Sequence, residues 1–170
     1  MVLNGNGFTL RTWKITDAET LQKNGNDTDV SDFLLDRFPS PYTLEKAVAF
    51  INSKINEAPA INFPIIIDEE VAGVIGLEMR VDVYRKTSLL GYWLSGRYRG
   101  RGIMPEAVKL ITGYAFDKLD IICIQACVLS KNSPSMRVLE KAGYEKQGVL
   151  KQSVIKNNQV WDEHIYAIYK

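Results

Sequence analysis

The chain has 170 residues, of which 46% are hydrophobic and 24% charged, and its formal net charge is +1. This length and composition are typical of one soluble globular domain, so we expect a single domain over residues 1–170. A net charge near zero gives no overall attraction to nucleic acid or to an anionic membrane surface. The N-terminal residues lack a leader pattern, and no apolar run has the roughly 18 residues of a membrane span. We therefore expect a cytoplasmic protein that binds neither nucleic acid nor membrane.

The two cysteines, Cys123 and Cys127, lie four residues apart in a strand-like run. Side chains at this spacing share one face of a strand but sit roughly 13 Å apart. A disulfide needs Cα atoms within about 7 Å of each other, so these two cannot pair. With no histidine beside them we expect no metal site, and both are interpreted as small core residues.

Strand-like alternation and helical periodicity follow one another along the chain, which predicts a mixed α/β (α+β) fold. Pro39 and Pro41 exclude a helix interior between the second and third helices. In the first half the patterns predict a strand at 8–13, a helix at 17–24 capped by Asp17, a short helix at 29–37, a helix after the cap Thr43, and strands at 61–67 and 71–80.

The second half continues the alternation. Gly143 suits the left-handed end of a helix, and Asn157-Asn158 suit a hairpin turn because asparagine tolerates positive φ. The patterns predict strands at 87–95 and 121–129, a helix from Ile103 with Pro105 in its first turn, a helix with Ser133 as cap and Pro134 as first residue, and a hairpin over 146–169.

A turn rich in glycine and arginine, Arg97-Tyr98-Arg99-Gly100-Arg101-Gly102, joins a predicted strand to a predicted helix. Glycines let backbone amides approach a ligand closely, and the first amides of a helix are unpaired at its positive dipole end. Such a place binds phosphate, and guanidinium groups suit phosphate oxygens.

Other interpretations of this turn exist. It is also compatible with a tight strand-to-helix connection whose arginines are solvated. A dinucleotide-binding fingerprint fits less well, because it wants glycine or alanine where Pro105 stands. A P-loop is excluded, because the Gly-Lys-Ser/Thr ending is missing.

The pattern Arg97-x-x-Gly100-x-Gly102 resembles the acyl-CoA pyrophosphate motif of the GCN5-related N-acetyltransferases (GNAT). The helix opening at 102–107 resembles the branch of ribosomal-protein alanine acetyltransferases, the RimJ- and RimL-like enzymes. Asn132-x-x-Ser135 and the stretch 140–144 are similar to that branch's second signature, and 38–43 to its substrate-side loop. The similarity covers nearly the whole chain, with the signatures in the expected order.

The resemblance implies a mixed, mostly antiparallel sheet of six or seven strands, flanked by about four helices. Two central strands, here 87–95 and 121–129, would splay apart around the pantetheine arm of acetyl-CoA, whose amides pair with strand backbone. The implied acetyl-CoA-binding residues are Trp93, Leu94, Arg97, Arg99, Gly100, Arg101, Gly102, Ile103, Asn132 and Ser135.

The resemblance also implies direct transfer of an acetyl group from the thioester to an amine. Many members place a glutamate on the strand before the pyrophosphate loop, but residues 88–91 contain none. Many place a tyrosine where this chain has Leu139. Ser135 is therefore our first candidate for the acid, with a helix-terminus hydrogen bond as its alternative role. Glu78 and Asp162 are candidates for the base or the amine site, with a solvated strand position and hairpin closure as their alternatives.

For the acceptor side the candidates are Arg37, Tyr42 and Trp93, each of which could instead serve packing or loop anchoring. The acceptor could be a protein N-terminus or a small amine, and a homodimer is one option for the assembly. No metal is expected. The alternative function is an inert acyl-CoA-binding sensor or interaction module; an oxidoreductase is a further one.

Overall fold

The computed structural model describes residues 2–170, which contain eight strands and five helices. The strands are β1 (Val2–Gly5), β2 (Phe8–Arg11), β3 (Asn62–Ile67), β4 (Glu70–Met79), β5 (Thr87–Leu94), β6 (Cys123–Leu129), β7 (Glu145–Lys156) and β8 (Gln159–Tyr169). The helices are α1 (Ala18–Gly25), α2 (Thr28–Ser31), α3 (Leu44–Lys54), α4 (Ile103–Lys118) and α5 (Ser133–Lys141).

The strands form an eight-stranded sheet in the order β1-β2-β3-β4-β5-β6-β8-β7. The pairings β1–β2, β2–β3, β3–β4, β6–β8 and β7–β8 are antiparallel. Strands β5 and β6 are parallel, and their ladder covers only Thr87–Leu89 against Cys123–Gln125. This ladder stops well before either strand ends, as the expected splay requires. The predicted fold class is confirmed, with strand β1 as an addition to the six or seven strands expected.

Contacts divide the chain into two compact units. The first comprises residues up to 76 together with 92–107, and we call it the loop unit because it contains the turn at 97–102. One cluster of its core consists of buried side chains from α1, α3, β4 and the segments beside them: Trp13, Ala18, Leu21, Tyr42, Ala47, Ile51, Val71 and Val74.

The second unit comprises residues 77–91 and 108–170, and we call it the hairpin unit after β7 and β8. Burial alternates along β6, since Ile124, Ala126 and Val128 are buried whereas Cys127 is exposed. Residues with this period of two define a strand with one covered face. Helix α5 ends in a Schellman motif, with the amide of Tyr144 donating to the carbonyl of Leu139 at 3.0 Å.

Several local predictions are confirmed. The Thr43 hydroxyl caps α3 by accepting from the amide of Lys46 at 3.3 Å. Gly143 has a φ of 92°, and the turn residues Asn157 and Asn158 have φ of 51° and 58°. These features are short-range consequences of residue type, so sequence alone defines them.

Asp17 was expected to cap α1, and this is wrong. It lies in the helical region, in a 3₁₀ turn before α1. Its carboxylate instead accepts from Arg11 at 2.7 Å and from the amide of Lys14 at 2.9 Å. A cap needs extended backbone, so a residue already inside a helical run cannot serve as one.

Three further expectations need correction. The helix expected at 29–37 is only α2, after which Asp32 begins a series of turns; α2 buries Val30 alone, too little apolar surface to sustain a longer helix. Cys127 is exposed rather than part of the core, because it lies on the opposite face of β6 from the buried residues. Helix α5 is capped by Asn132 rather than Ser133.

Candidate functional site: the loop before helix α4

The loop begins where β5 ends and leads directly into α4. A 3₁₀ turn at Gly96–Tyr98 comes first. Gly100 and Gly102 then have φ of 77° and 76°, the left-handed region that favours glycine. A Cβ added at either glycine would meet no protein atom within 4 Å, so both positions face open space.

Among residues 2–170, the backbone amides of Gly102, Ile103 and Met104 donate no hydrogen bond. The bond from the amide of Glu106 to the carbonyl of Gly102, at 3.4 Å, opens α4, and Pro105 has no N–H. Successive free amides around left-handed glycines form a concavity that binds anions, and the helix dipole adds to it. The loop therefore has the backbone geometry and dipole that suit an anion.

Arg97 and Arg101 pack around the buried side chain of Tyr98. The guanidinium carbons of Arg97 and Arg101 lie 4.7 and 5.8 Å from the centroid of the Tyr98 ring. Arg97 donates to Glu70 at 3.2 Å, and Arg101 donates to the carbonyl of Arg97 at 3.2 Å. Arg97 is thus paired with a carboxylate, whereas Arg101 contacts only the loop itself.

Arg99 is held back against the end of β5. Its Nε donates to the carbonyl of Leu94 at 2.9 Å, and its guanidinium lies 4.0 Å from the carboxylate of Asp29. Asp27 also contacts this region, since its carboxylate accepts from the amide of Gly96 at 3.0 Å. Asp27, the cap of α2, and Asp29 within α2 therefore anchor the start of the loop.

Two groups beside the loop have shifted pKa values. A hydrogen bond from the Lys23 ammonium is the main cause that lowers the pKa of Glu70 below its usual 4.5, and the Tyr98 hydroxyl contributes as well. Burial raises the pKa of Tyr98 above 10.0, and its bond to Glu70 raises it further. Glu70 is therefore ionised and Tyr98 protonated at neutral pH.

The structure brings two of the three acceptor candidates into one aromatic cluster. Phe38 lies 5.2 Å from Tyr42 and 5.9 Å from Trp93, measured between ring centroids. Tyr42 is buried in the core, and this burial raises its pKa to about 12. Arg37 is exposed, in a turn after α2.

In the hairpin unit, Asn132 and Ser135 lie together at the start of α5. The side-chain oxygen of Asn132 accepts from the amide of Ser135 at 3.3 Å. The Asn132 side chain therefore caps α5. Asn132 fixes the first turn of the helix on which Ser135 lies.

The two carboxylates proposed for catalysis differ in setting. Glu78 is exposed near the end of β4. Asp162 in β8 is half-buried and accepts from the amide of Gln152 at 2.8 Å. Gln152 has a φ of 52° and lies where the β7–β8 register shifts, so Asp162 stabilises an irregularity in the hairpin. This is the hairpin role that the sequence left open.

Sequence reasoning missed Glu70, Asp27 and Tyr98, which organise the loop. Glu70 and Asp27 had no predicted role at this site, and Tyr98 was named only as a member of the turn at 97–102. An aromatic residue inside an otherwise charged loop is a signal for burial, and it could have pointed to Tyr98. Nothing local connects Glu70 or Asp27 with a loop at least 26 positions further on.

With this geometry in hand, the class of protein is clear. A family model described as the acetyltransferase (GNAT) domain matches residues 8–145. The chain therefore belongs to the GNAT acetyltransferase family. This confirms the family resemblance drawn from the loop and from the signatures downstream.

Individual relatives agree with this. The probable N-acetyltransferase YjcK of Bacillus subtilis (strain 168) is 34% identical over 171 residues, covering 96% of this chain and 93% of YjcK. An acetyltransferase of the GNAT family from Bacillus anthracis has a TM-score of 0.85 at 26% identity and covers 99% and 98% of the two chains. RimL, a ribosomal L7/L12 α-N-protein acetyltransferase in complex with coenzyme A, has a TM-score of 0.86 at 19% identity, with 99% and 98% covered.

The described helices include none that is long and apolar enough to cross a bilayer.

Proposed function

We propose that this chain is an N-acetyltransferase that moves an acetyl group from acetyl-CoA directly to a primary amine. The choice of acetyl-CoA as the donor rests on one observation: the backbone amides of Gly102, Ile103 and Met104, which donate no hydrogen bond among the described residues, lie beside two left-handed glycines at the start of α4. These amides would hold the pyrophosphate of the donor, with Arg101 beside them. RimL, whose fold matches, is in complex with coenzyme A.

The chemistry needs an amine that has lost its proton, because only the neutral nitrogen attacks a carbonyl carbon. A C–N bond then forms, and the thioester C–S bond breaks. The carbonyl oxygen gains negative charge in between, and a backbone amide near Leu94 would stabilise it. The leaving thiolate takes a proton from the hydroxyl of Ser135, and a proton that the attacking nitrogen releases restores this hydroxyl through water.

The proton of the amine needs an acceptor. Asp162 already accepts from the amide of Gln152 in the hairpin, and its place there is structural. We therefore favour Glu78 as the base, with water as the relay between it and the amine. Neither position carries a metal-ligand pattern, since no cluster of His, Cys, Asp and Glu suited to a metal occurs among the described residues.

Membership of the family does not by itself decide which class of amine is the acceptor. Trp93 and Phe38 offer an apolar wall in the loop unit. A protein N-terminus is the acceptor that the name of RimL implies for RimL, and small amines are the other class. We treat the chain as one GNAT domain, because the family match runs through residues of both units.

An assay of thiol release from acetyl-CoA, with a panel of peptides and small amines, tests this function. We expect release of CoA that depends on one class of amine. Tight CoA binding without turnover on any amine would favour the inert acyl-CoA-binding module. Displacement of CoA by NADH would contradict the assignment of the donor.

Ser135 has its own test once an amine is known. We expect Ser135→Ala to lower kcat at least tenfold, while the KM for acetyl-CoA changes little, because an acid acts in the chemical step. Ser133→Ala is the matched control, since Ser133 is exposed in the first turn of the same helix. An unchanged kcat in Ser135→Ala would remove Ser135 from the mechanism.

A further inference from the structure

Glu70 occupies the first position of β4, after a tight turn in which Asp68 and Glu69 have φ of 49° and 64°. Its carboxylate accepts from Nζ of Lys23 at 3.0 Å and faces Nδ2 of Asn24 at 3.5 Å. Both donors belong to α1. The carboxylate is thereby held in one orientation from the side of α1.

The same carboxylate reaches the loop before α4. Oε2 of Glu70 accepts from the hydroxyl of Tyr98 at 3.1 Å and from Nη1 of Arg97 at 3.2 Å. Tyr98 is only 3% exposed, whereas the Arg97 side chain is 53% exposed. An exposed ion pair contributes little, while a charged bond to a buried hydroxyl contributes more, so the contact with Tyr98 dominates.

Tyr98 in turn defines where the arginines lie. Its ring is the surface on which Arg97 and Arg101 pack, and Arg101 also donates to the carbonyl of Arg97. Arg97 faces Glu70 and Arg99 faces Asp29. Arg101 is the remaining arginine of the loop, and none of its contacts is to a carboxylate.

We propose that Glu70 is a positioning residue for the donor loop: through Tyr98 and Arg97 it holds the loop in its anion-binding form and leaves Arg101 free for phosphate. This inference rests on the proposed function, because the anion in question is the pyrophosphate of CoA. Glu70 touches neither the donor nor the reacting atoms, and it acts through its contacts with the loop.

Simple electrostatics predicts the opposite effect on CoA affinity when the charge of Glu70 is removed. Removing a negative charge beside an anion site should strengthen anion binding by relieving repulsion. If Glu70 instead preorganises the loop, its removal weakens binding because the free protein must then order the loop on contact. Glu70→Gln separates the two effects, since it keeps the shape and removes the charge.

The test is calorimetric titration of CoA into wild type, Glu70→Gln, Tyr98→Phe and the double variant. The matched control is Glu69→Gln, which removes the same charge one residue earlier, where the exposed carboxylate makes no hydrogen bond or ion pair with a described residue. We expect Glu70→Gln and Tyr98→Phe each to raise the Kd for CoA about fivefold or more. The Kd of the double variant should not exceed that of the weaker single variant, because the two side chains form one contact. Glu69→Gln should stay within about twofold of wild type.

Kinetics and hydrogen exchange give independent readouts. We expect Glu70→Gln to raise the KM for acetyl-CoA with kcat unchanged, and to speed exchange of the amides at 97–104 in protein without CoA. Glu69→Gln should do neither. If wild type binds CoA but Glu70→Gln binds it as well or better with unchanged exchange, the inference is overturned while the proposed function stands. If wild type does not bind CoA, the proposed function is overturned and this inference with it.

Discussion

Arg101 differs from Arg97 and Arg99 in its contacts with the described residues. Arg97 and Arg99 lie beside Glu70 and Asp29, so part of their positive charge is already compensated. The contacts of Arg101 are with a carbonyl and with the ring of Tyr98. Its five N–H donors are therefore the most available of the three for a phosphate group.

We accordingly expect Arg101→Ala to raise the Kd for CoA at least about tenfold, because a charged hydrogen bond is worth about 1.5–3 kcal/mol. Arg97→Ala removes an arginine of the same loop that is paired with Glu70, and it should cost about threefold or less. Isothermal titration at constant ionic strength measures both. A larger loss in Arg97→Ala than in Arg101→Ala would reverse the assignment.

Glu70 also links stability to pH. Its pKa lies below the usual 4.5 in the folded chain, mainly because Lys23 donates to it. A carboxylate with a lowered pKa stabilises the fold fully above its unfolded pKa, and this contribution is lost as the pH falls through the folded pKa. We expect the free energy of unfolding of wild type to exceed that of Glu70→Gln at pH 7, and the difference to shrink below pH 4.5. Urea denaturation at several pH values measures it, and a difference that grows on acidification would contradict the contact.

Among the elements, the segment of β5, the loop and α4 is the one on which the proposed function depends. Its parts are local: glycines at the left-handed positions, and a proline where the helix needs no N–H. Sequence could therefore predict this segment, as it predicted the cap of α3, the turn at Asn157-Asn158 and the helix end at Gly143. Because the glycines and the start of the helix are adjacent in sequence, phosphate binding could be predicted from the sequence as well.

What the sequence could not predict depends on contacts between distant positions. Glu70 and Tyr98 are separated by 28 positions, and Asp27 and Gly96 by 69. Periodicity does not record such pairs, and each residue by itself is compatible with a solvated position. The expected capping role of Asp17 failed for a local reason instead, since its backbone is already helical and its carboxylate accepts from Arg11.

The variant Gly102→Ala tests whether the loop binds CoA or only connects β5 to α4. Gly102→Ala should cost about 1 kcal/mol of stability or somewhat more, because alanine is strained at a φ of 76°. Its Cβ meets no protein atom, so the fold should survive, but the methyl group occupies the space where phosphate approaches. We expect CoA binding to be lost or to weaken at least about tenfold.

Gly143→Ala is the matched control for Gly102→Ala, because Gly143 also has positive φ and ends α5 in the hairpin unit. It should lower the melting temperature to a similar degree and leave the Kd for CoA unchanged. Equal Kd values for wild type and Gly102→Ala would mean that the loop is only a connection between strand and helix.

Across the whole molecule, the charge is +1, so no long-range field draws an anion to it. The attraction must come from the loop, where free amides, a helix dipole and Arg101 converge. The GNAT match over residues 8–145 makes acetyl transfer the chemistry of the family. Acetyl-CoA, the donor that we propose, carries phosphate groups that this loop would suit. The acceptor amine is the part that neither the loop nor the family defines.

The central claim is that the loop from Arg97 to Gly102 binds the pyrophosphate of CoA. A crystal structure of the protein grown with CoA tests it most directly. We predict pyrophosphate oxygens within hydrogen-bond distance of the amides between Gly100 and Met104, with the guanidinium of Arg101 beside them and Glu70 still bonded to Tyr98. A structure in which CoA is bound with its phosphates away from these amides would contradict the claim.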